Sequence, residues 1–294
     1  MIHTTRLPVL LAMPFLLIAP VGAARPVQGE VVVDATGAAA GTLSGKPARL
    51  QITPNGSKVP ILNPDSAARI GLKRGWLNVV AVVGPVRIKG STAVIHYTAP
   101  GTQAKRRIGW FERPAAPGFD ALLGPGAIAA PVVTFRLHPA SAGEVVHRLP
   151  LVDDGYGGMG SAVMIGKPRL LLRGALDKAE PTANAKAGEV IQAERGGQWT
   201  GSSRALPVAF GVHRPHRRFD LARPLAIGGF PLPGLFIRTT GTDTESTDPD
   251  EIVVTARKKT KGTGVIIFGR DALSTCSSLT FDKARKEIRL SCRA

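Results

Sequence analysis

Residues 50–72 read LQITPNGSKVPILNPDSAARIGL. The order is strand, tight turn, strand, short helix. Thr53-Pro54-Asn55-Gly56 supplies the turn, because proline fixes φ and Asn-Gly tolerates positive φ. Val59, Ile61 and Leu62 then make a short apolar run. Asn63 is placed to cap a helix with Pro64 at its first position, and Gly71 to end it.

Working outward, β-rich runs are expected at residues 48–53, 59–62, 76–83, 86–88, 93–97 and 108–112, with breaks at Gly84-Pro85 and Gly90. Residues 119–128, FDALLGPGAI, follow, and then a strand over 132–137. A second cycle starts near Val145. Residues 145–152 and 162–165 read as strands around a glycine loop, and residues 169–172 as a strand before Arg173-Gly174-Ala175. A helix over 183–188 and strands over 208–212, 225–227 and 235–238 come next. Residues 265–273, VIIFGRDAL, parallel the FDALLGPGAI element.

Strand, glycine-bearing turn, strand and helix, closed by a hydrophobic-hydrophobic-Gly element, resemble a lobe of the pepsin/retropepsin superfamily of aspartic proteases. In that family the turn carries Asp-Thr-Gly, its Asp ten residues before the proline of the following helix. The resemblance therefore sets Pro54 where the Asp belongs, with Asn55 and Gly56 completing the turn. In the second copy it sets Leu172 and Arg173 in place of Asp and Thr, with Gly174 and Ala175 retained. It covers about residues 50–292, in two copies. It implies an all-β, bilobal, pepsin-like double β-barrel with short helices, with lobes at residues 25–143 and 144–294.

An aspartic protease dyad needs two close carboxylates whose acidities split, so that one acts as base and one as acid. Pro54 and Leu172 supply neither. Asp177, Asp65 and Asp120 are the substitutes; Asp65 equally suits the first turn of a helix, and Asp120 and Asp271 equally suit structural turns. Gly155, Gly157 and Gly160 fit G-x-G-x-x-G, but a strand rather than a helix follows, so a hairpin loop is expected instead of a dinucleotide site. No H-E-x-x-H, zinc spacing or G-x-S-x-G is present, and no metal or cofactor is expected. The resemblance and the missing acids together imply a catalytically inactive protein. It would hold an extended peptide or an envelope partner, with Asn55, Gly56, Arg173 and Gly174 as binding residues. The alternatives are an active atypical aspartic endopeptidase and a purely structural envelope protein.

A length of 294 residues suffices for two domains, and 44% hydrophobic residues support a globular core. The 34 glycines and 24 prolines favour short strands and turns. Residues 1–24 read as a secretory signal: Arg6, an apolar stretch over 7–21, then Val21-Gly22-Ala23-Ala24. Pro8, Pro14 and Pro20 interrupt that stretch, which is too short to span a bilayer. The expectation is export to the periplasm or beyond, without stable membrane insertion. A net charge of +17 is spread thinly along the chain. The clusters at 105–107, 216–218 and 257–259 lack interleaved aromatics, which argues against nucleic acid.

Cys276 and Cys292 are centred on residue 284. A hairpin of 279–281 with 288–290 would set them opposite each other, close enough to bridge in an oxidising compartment; two free buried thiols are the alternative. Residues 241–264 form a charged insert whose acidic and basic flanks enclose Ile252, Val253, Val254 and Thr255. Residues 250–257, DEIVVTAR, look like the segment near the mature N-terminus of many TonB-dependent outer-membrane receptors, which pairs as an added strand with a periplasmic partner. The insert is expected to project, with residues 251–256 extended and partly unpaired. The alternative is a strand of the lobe's own sheet with charged gatekeepers.

Overall fold

The computed structural model describes residues 29–74, 77–239, 252–253 and 264–293. Residues 1–24, expected to be a signal, together with Trp76, Val254, Thr255 and most of the insert lie outside these residues. The first half of the chain contributes β1 (Glu30–Asp34), β2 (Ala38–Leu43), β3 (Lys46–Ile52), β4 (Ile61–Leu62), α1 (Pro64–Arg69), β5 (Asn78–Val83), β6 (Val86–Ala99), β7 (Thr102–Phe111), β8 (Ala121–Leu123) and β9 (Val132–Arg136). The second contributes β10 (Glu144–Asp153), β11 (Met159–Met164), β12 (Arg169–Gly174), β13 (Thr182–Ala183), α2 (Ala185–Arg195), β14 (Gly197–Ala209), β15 (Val212–Ile227), β16 (Phe230–Arg238), β17 (Ile252–Val253), β18 (Val265–Phe268), β19 (Cys276–Asp282) and β20 (Glu287–Arg293).

The fold is all-β and bilobal, built on two sheets. The eight-stranded sheet runs β17-β5-β6-β2-β3-β8-β4-β7, and β6 also pairs with β7, so six of its strands close into a barrel. The twelve-stranded sheet runs β1-β9-β19-β20-β10-β11-β12-β18-β13-β16-β15-β14 and stays open. Strands such as β5 alternate buried and outward residues, as a strand with one face on the core should.

One pairing scheme occurs twice. β3 lies parallel to β8, and β4 crosses antiparallel to β8 and parallel to β7. In the second lobe β12 lies parallel to β18, and β13 crosses antiparallel to β18 and parallel to β16. Each short strand leads into a helix, α1 or α2.

Several local expectations change. Gly90 does not break a strand: β6 runs through it, and a Cβ there would stand 2.6 Å from the Phe111 ring. Asn63 precedes α1 but makes no side-chain cap. Its amide instead ties down the loop before β8, donating to Phe119 O at 2.8 Å and accepting from Ala115 N at 2.8 Å. Asn184 is the residue that caps, accepting from Ala187 N at 2.9 Å, so the second helix begins later than expected and runs to Arg195.

Asp120 pins β8 to its neighbours. It accepts from Arg49 N at 2.8 Å and the Ser66 hydroxyl at 2.7 Å, and it pairs with Arg69. Burial pushes this carboxyl up, but these hydrogen bonds and the Arg69 charge outweigh it and hold the group below the ordinary aspartate range. Cys276 faces Cys292 across the β19–β20 ladder and is bridged to it.

Two outcomes are expected. Because the folded-state pKa of Asp120 is depressed, its contribution is complete above the ordinary aspartate value, about 4. It is lost as pH falls through and below that value. Acid titration of the melting temperature should therefore be flatter for Asp120→Asn than for the parent; an unchanged profile would remove the assignment. Replacing both cysteines by serine should lower stability by about 3 kcal/mol, as expected for a cross-link over 16 residues. Denaturant titration with unchanged slope checks it.

Candidate functional site

The backbone ladders define which residues of the two lobes correspond. Thr53 N donates to Leu123 O at 2.9 Å, and Ala175 N donates to Phe268 O at 2.8 Å. Asn63 N donates to Asp120 O at 2.9 Å, and Asn184 N to Val265 O at 3.1 Å. Counting forward from the first pair, Pro54 corresponds to Leu176, Asn55 to Asp177 and Gly56 to Lys178. Leu172 corresponds to Leu50 and is a buried strand residue within β12, not a turn residue. The assignment of Leu172 to a dyad position is thereby corrected. Its cause is that β12 continues through Arg173-Gly174, a pair that reads like a turn in sequence.

The end of β12 meets the first turn at the lobe boundary. Gly174 lies against Pro54: a Cβ on it would stand 3.3 Å from Pro54 Cβ. The loop between β10 and β11, which carries the G-x-G-x-x-G pattern, crosses to the first turn. A Cβ on Gly158 would stand 2.4 Å from Gly56 O, so glycine is required there for close backbone approach. Lys58 bonds Asp153 at 2.6 Å beside this contact.

A cleft of about 180 Å³ opens between the lobes. Its first-lobe wall carries Gln51, Thr53, Asn55 and Ser57. Its second-lobe wall carries Asp154, Arg173, Asp177, Lys178, His216 and Arg238. Arg173 Nη2 donates to Asp154 Oδ2 at 2.5 Å. Lys178 is 8% exposed and donates to Val208 O at 3.0 Å. His216 Nδ1 donates to Arg214 O at 2.8 Å, since a carbonyl only accepts.

Two hairpins cover the cleft: residues 81–83 from the first lobe and 207–210 from the second. The tip of the β14–β15 hairpin holds Phe210 at φ 51° and Gly211 at φ 69°. A left-handed aromatic is costly, and packing offsets that cost. The Phe210 ring sits 4.7 Å from the Phe111 ring, in one cluster with Ile61 and Val83. The second lobe's hairpin is thus seated on the first lobe.

Of the substitute acids, Asp177 alone borders the cleft; it is exposed. Asp65 is exposed on α1 and Asp120 is engaged with Arg49, Ser66 and Arg69; neither borders the cleft. Asn55 and Arg173 border it, whereas Gly56 and Gly174 lie at the turn contact behind it. Asp154, Lys178, His216 and Arg238 were missed. A charge within a short β-turn or strand gives no local sign of facing a cleft, although Asp177-Lys178 directly after a buried strand was a usable signal. Among the described residues no group of His, Cys, Asp and Glu is arranged to hold a metal. Ile252 and Val253 pair with Ala81 and Val80 as the end strand of the first-lobe sheet.

No family model matches the chain. No curated protein matches it in sequence either. Among solved structures, an aspartic proteinase from Irpex lacteus aligns at a TM-score of 0.44 and 11% identity, covering 87% of this chain and 94% of that one.

Proposed function

We propose that the protein is an exported, non-catalytic binder that holds a short extended peptide in the cleft between its lobes. The observation that carries this reading is the content of the two corresponding turns. Pro54-Asn55 corresponds to Leu176-Asp177, so the turns supply one carboxylate where acid–base hydrolysis needs two. Asp154, the other acid on the cleft, is bonded to Arg173. A cleft of about 180 Å³ lies below the roughly 300–1,000 Å³ of ordinary ligand pockets. It suits one or two residues of a chain, with the rest crossing the rim.

A second reading, docking of an envelope partner by strand addition, is supported by β17. A strand at the end of a sheet has an outward edge that another chain can extend.

Purified protein should leave unfolded protein substrates intact from about pH 3 to pH 7, the range in which a carboxylate pair would work. Turnover that Asp177→Asn abolishes would establish the endopeptidase instead. Deleting residues 243–261 should keep a single melting transition within about 4 °C of the parent and abolish strand-addition binding. Loss of folding would make β17 a structural strand and end the docking reading.

A further inference from the structure

The hairpin that covers the cleft from the second lobe outruns the sheet that carries it. β15 is paired with β16 from His216–Arg238 to Ile227–Phe230. Before His216 it is paired with β14 alone, through Ala205–Pro215, Leu206–Arg214, Pro207–His213 and Ala209–Val212. Residues 205–215 therefore form a two-stranded ribbon, which is marginal in water without packing from elsewhere. The ladder is irregular where the ribbon leaves the sheet, between Thr200 and Arg204, and Gly201 sits there at φ 63°. A bulge that carries a glycine bends its strand.

The second lobe ties the ribbon through backbone carbonyls: Thr239 N donates to Pro215 O at 3.2 Å, and Lys178 Nζ to Val208 O at 3.0 Å. Its apolar seat belongs to the first lobe. Phe210 and Val212 share one buried cluster with Ile61, Val83, Ile88 and Phe111, separate from the main core. Phe210 is 7% exposed. Next to this seat the Arg214 guanidinium lies over the tip of the first-lobe hairpin, where a Cβ on Gly84 would stand 2.5 Å from Arg214 Cζ. Pro207, Val208, Ala209 and Phe210 also border the cleft, so the ribbon roofs the cleft while its tip plugs into the opposite lobe.

The seat and the backbone of Phe210 oppose each other. Burial of the ring favours the seated ribbon, and the left-handed backbone at φ 51° disfavours it. A segment held by one ring against its own strain opens at lower free energy than the sheet below it.

We infer that residues 205–215 are the gate of the cleft, and that the Phe210 ring, seated against Phe111, is its latch. The ribbon lifts at the Gly201 irregularity while the pairs from His216–Arg238 onward stay formed. The inference rests on the reading of the cleft as a binding site and names how that site is opened.

The test needs no ligand. Cys276 and Cys292 are bridged and are the only cysteines in the chain. Thr182 borders the cleft and is 7% exposed, so Thr182→Cys places a single thiol beneath the roof. Its rate of reaction with N-ethylmaleimide reads access. Adding Phe210→Ala should raise that rate about tenfold or more, as loss of a buried ring requires. The rate should stay flat in urea well below the unfolding midpoint, the mark of a local opening. Amide exchange by mass spectrometry should speed up over residues 205–215 and stay unchanged over 217–221. Should the double variant misfold, Thr182→Cys alone serves: its thiol and the amides of 208–213 should show equal protection. An unchanged labelling rate, unequal protection, or faster exchange spread through both lobes overturns the inference. Failure of peptides to bind would sink the binding reading, and the thiol and amide rates would still decide the gate.

Discussion

The backbone of Gly56 lies directly on the backbone of Gly124. A Cβ on Gly124 would stand 1.9 Å from Gly56 O, and one on Gly56 would stand 2.6 Å from Gly124 Cα. Neither position admits any other residue without moving main chain. This contact lets the first turn fold back beneath the closing strand β8, so that Thr53 N reaches Leu123 O and β3 and β8 run side by side. In the second lobe Gly269 does the same work: a Cβ on it would meet Ala179 O at 2.3 Å and Glu180 O at 2.4 Å. The two turns that border the cleft hang from these backbone crossings.

That constraint also explains what could be read from sequence. The closing elements around Gly124 and Gly269 were legible because close approach demands glycine after two apolar residues. The hairpin joining Cys276 to Cys292 was legible because alternation and a central polar turn fix its register. The second turn was not. Arg173-Gly174 imitates a turn while remaining in β12, and the link from turn to helix is one residue shorter in the second lobe than in the first. The β14–β15 hairpin was nearly silent, since β14 is mostly exposed and has no apolar alternation. Pro215 looks like a breaker, yet it sits within β15 opposite Ala205.

The site was legible only where its residues belong to the turns or read like one. Asn55 and Asp177 could be named from position in the turns, and Arg173 because Arg173-Gly174 imitates a turn within β12. Asp154 comes from a loop that reads as filler, and its pairing with Arg173 depends on β10, β11 and β12 lying in order. His216 and Arg238 reach the cleft from neighbouring strands, β15 and β16, paired at that very position. Their charges were visible in the sequence, and their convergence was a property of the sheet.

The middle of the large sheet has a consequence for how the molecule is made. β9 from the first half and β10 from the second are joined through β19 and β20, and not to each other. Val133 finds Phe281 and Leu149 finds Ile288, contacts that span more than a hundred residues. A growing chain that has not yet released residues 276–293 carries two half-paired strands with open edges. Such edges invite pairing with other chains. Release of the β19–β20 hairpin is therefore the event that seals the centre of the molecule, and the sheet that holds β9 is completed by residues far along the chain from it.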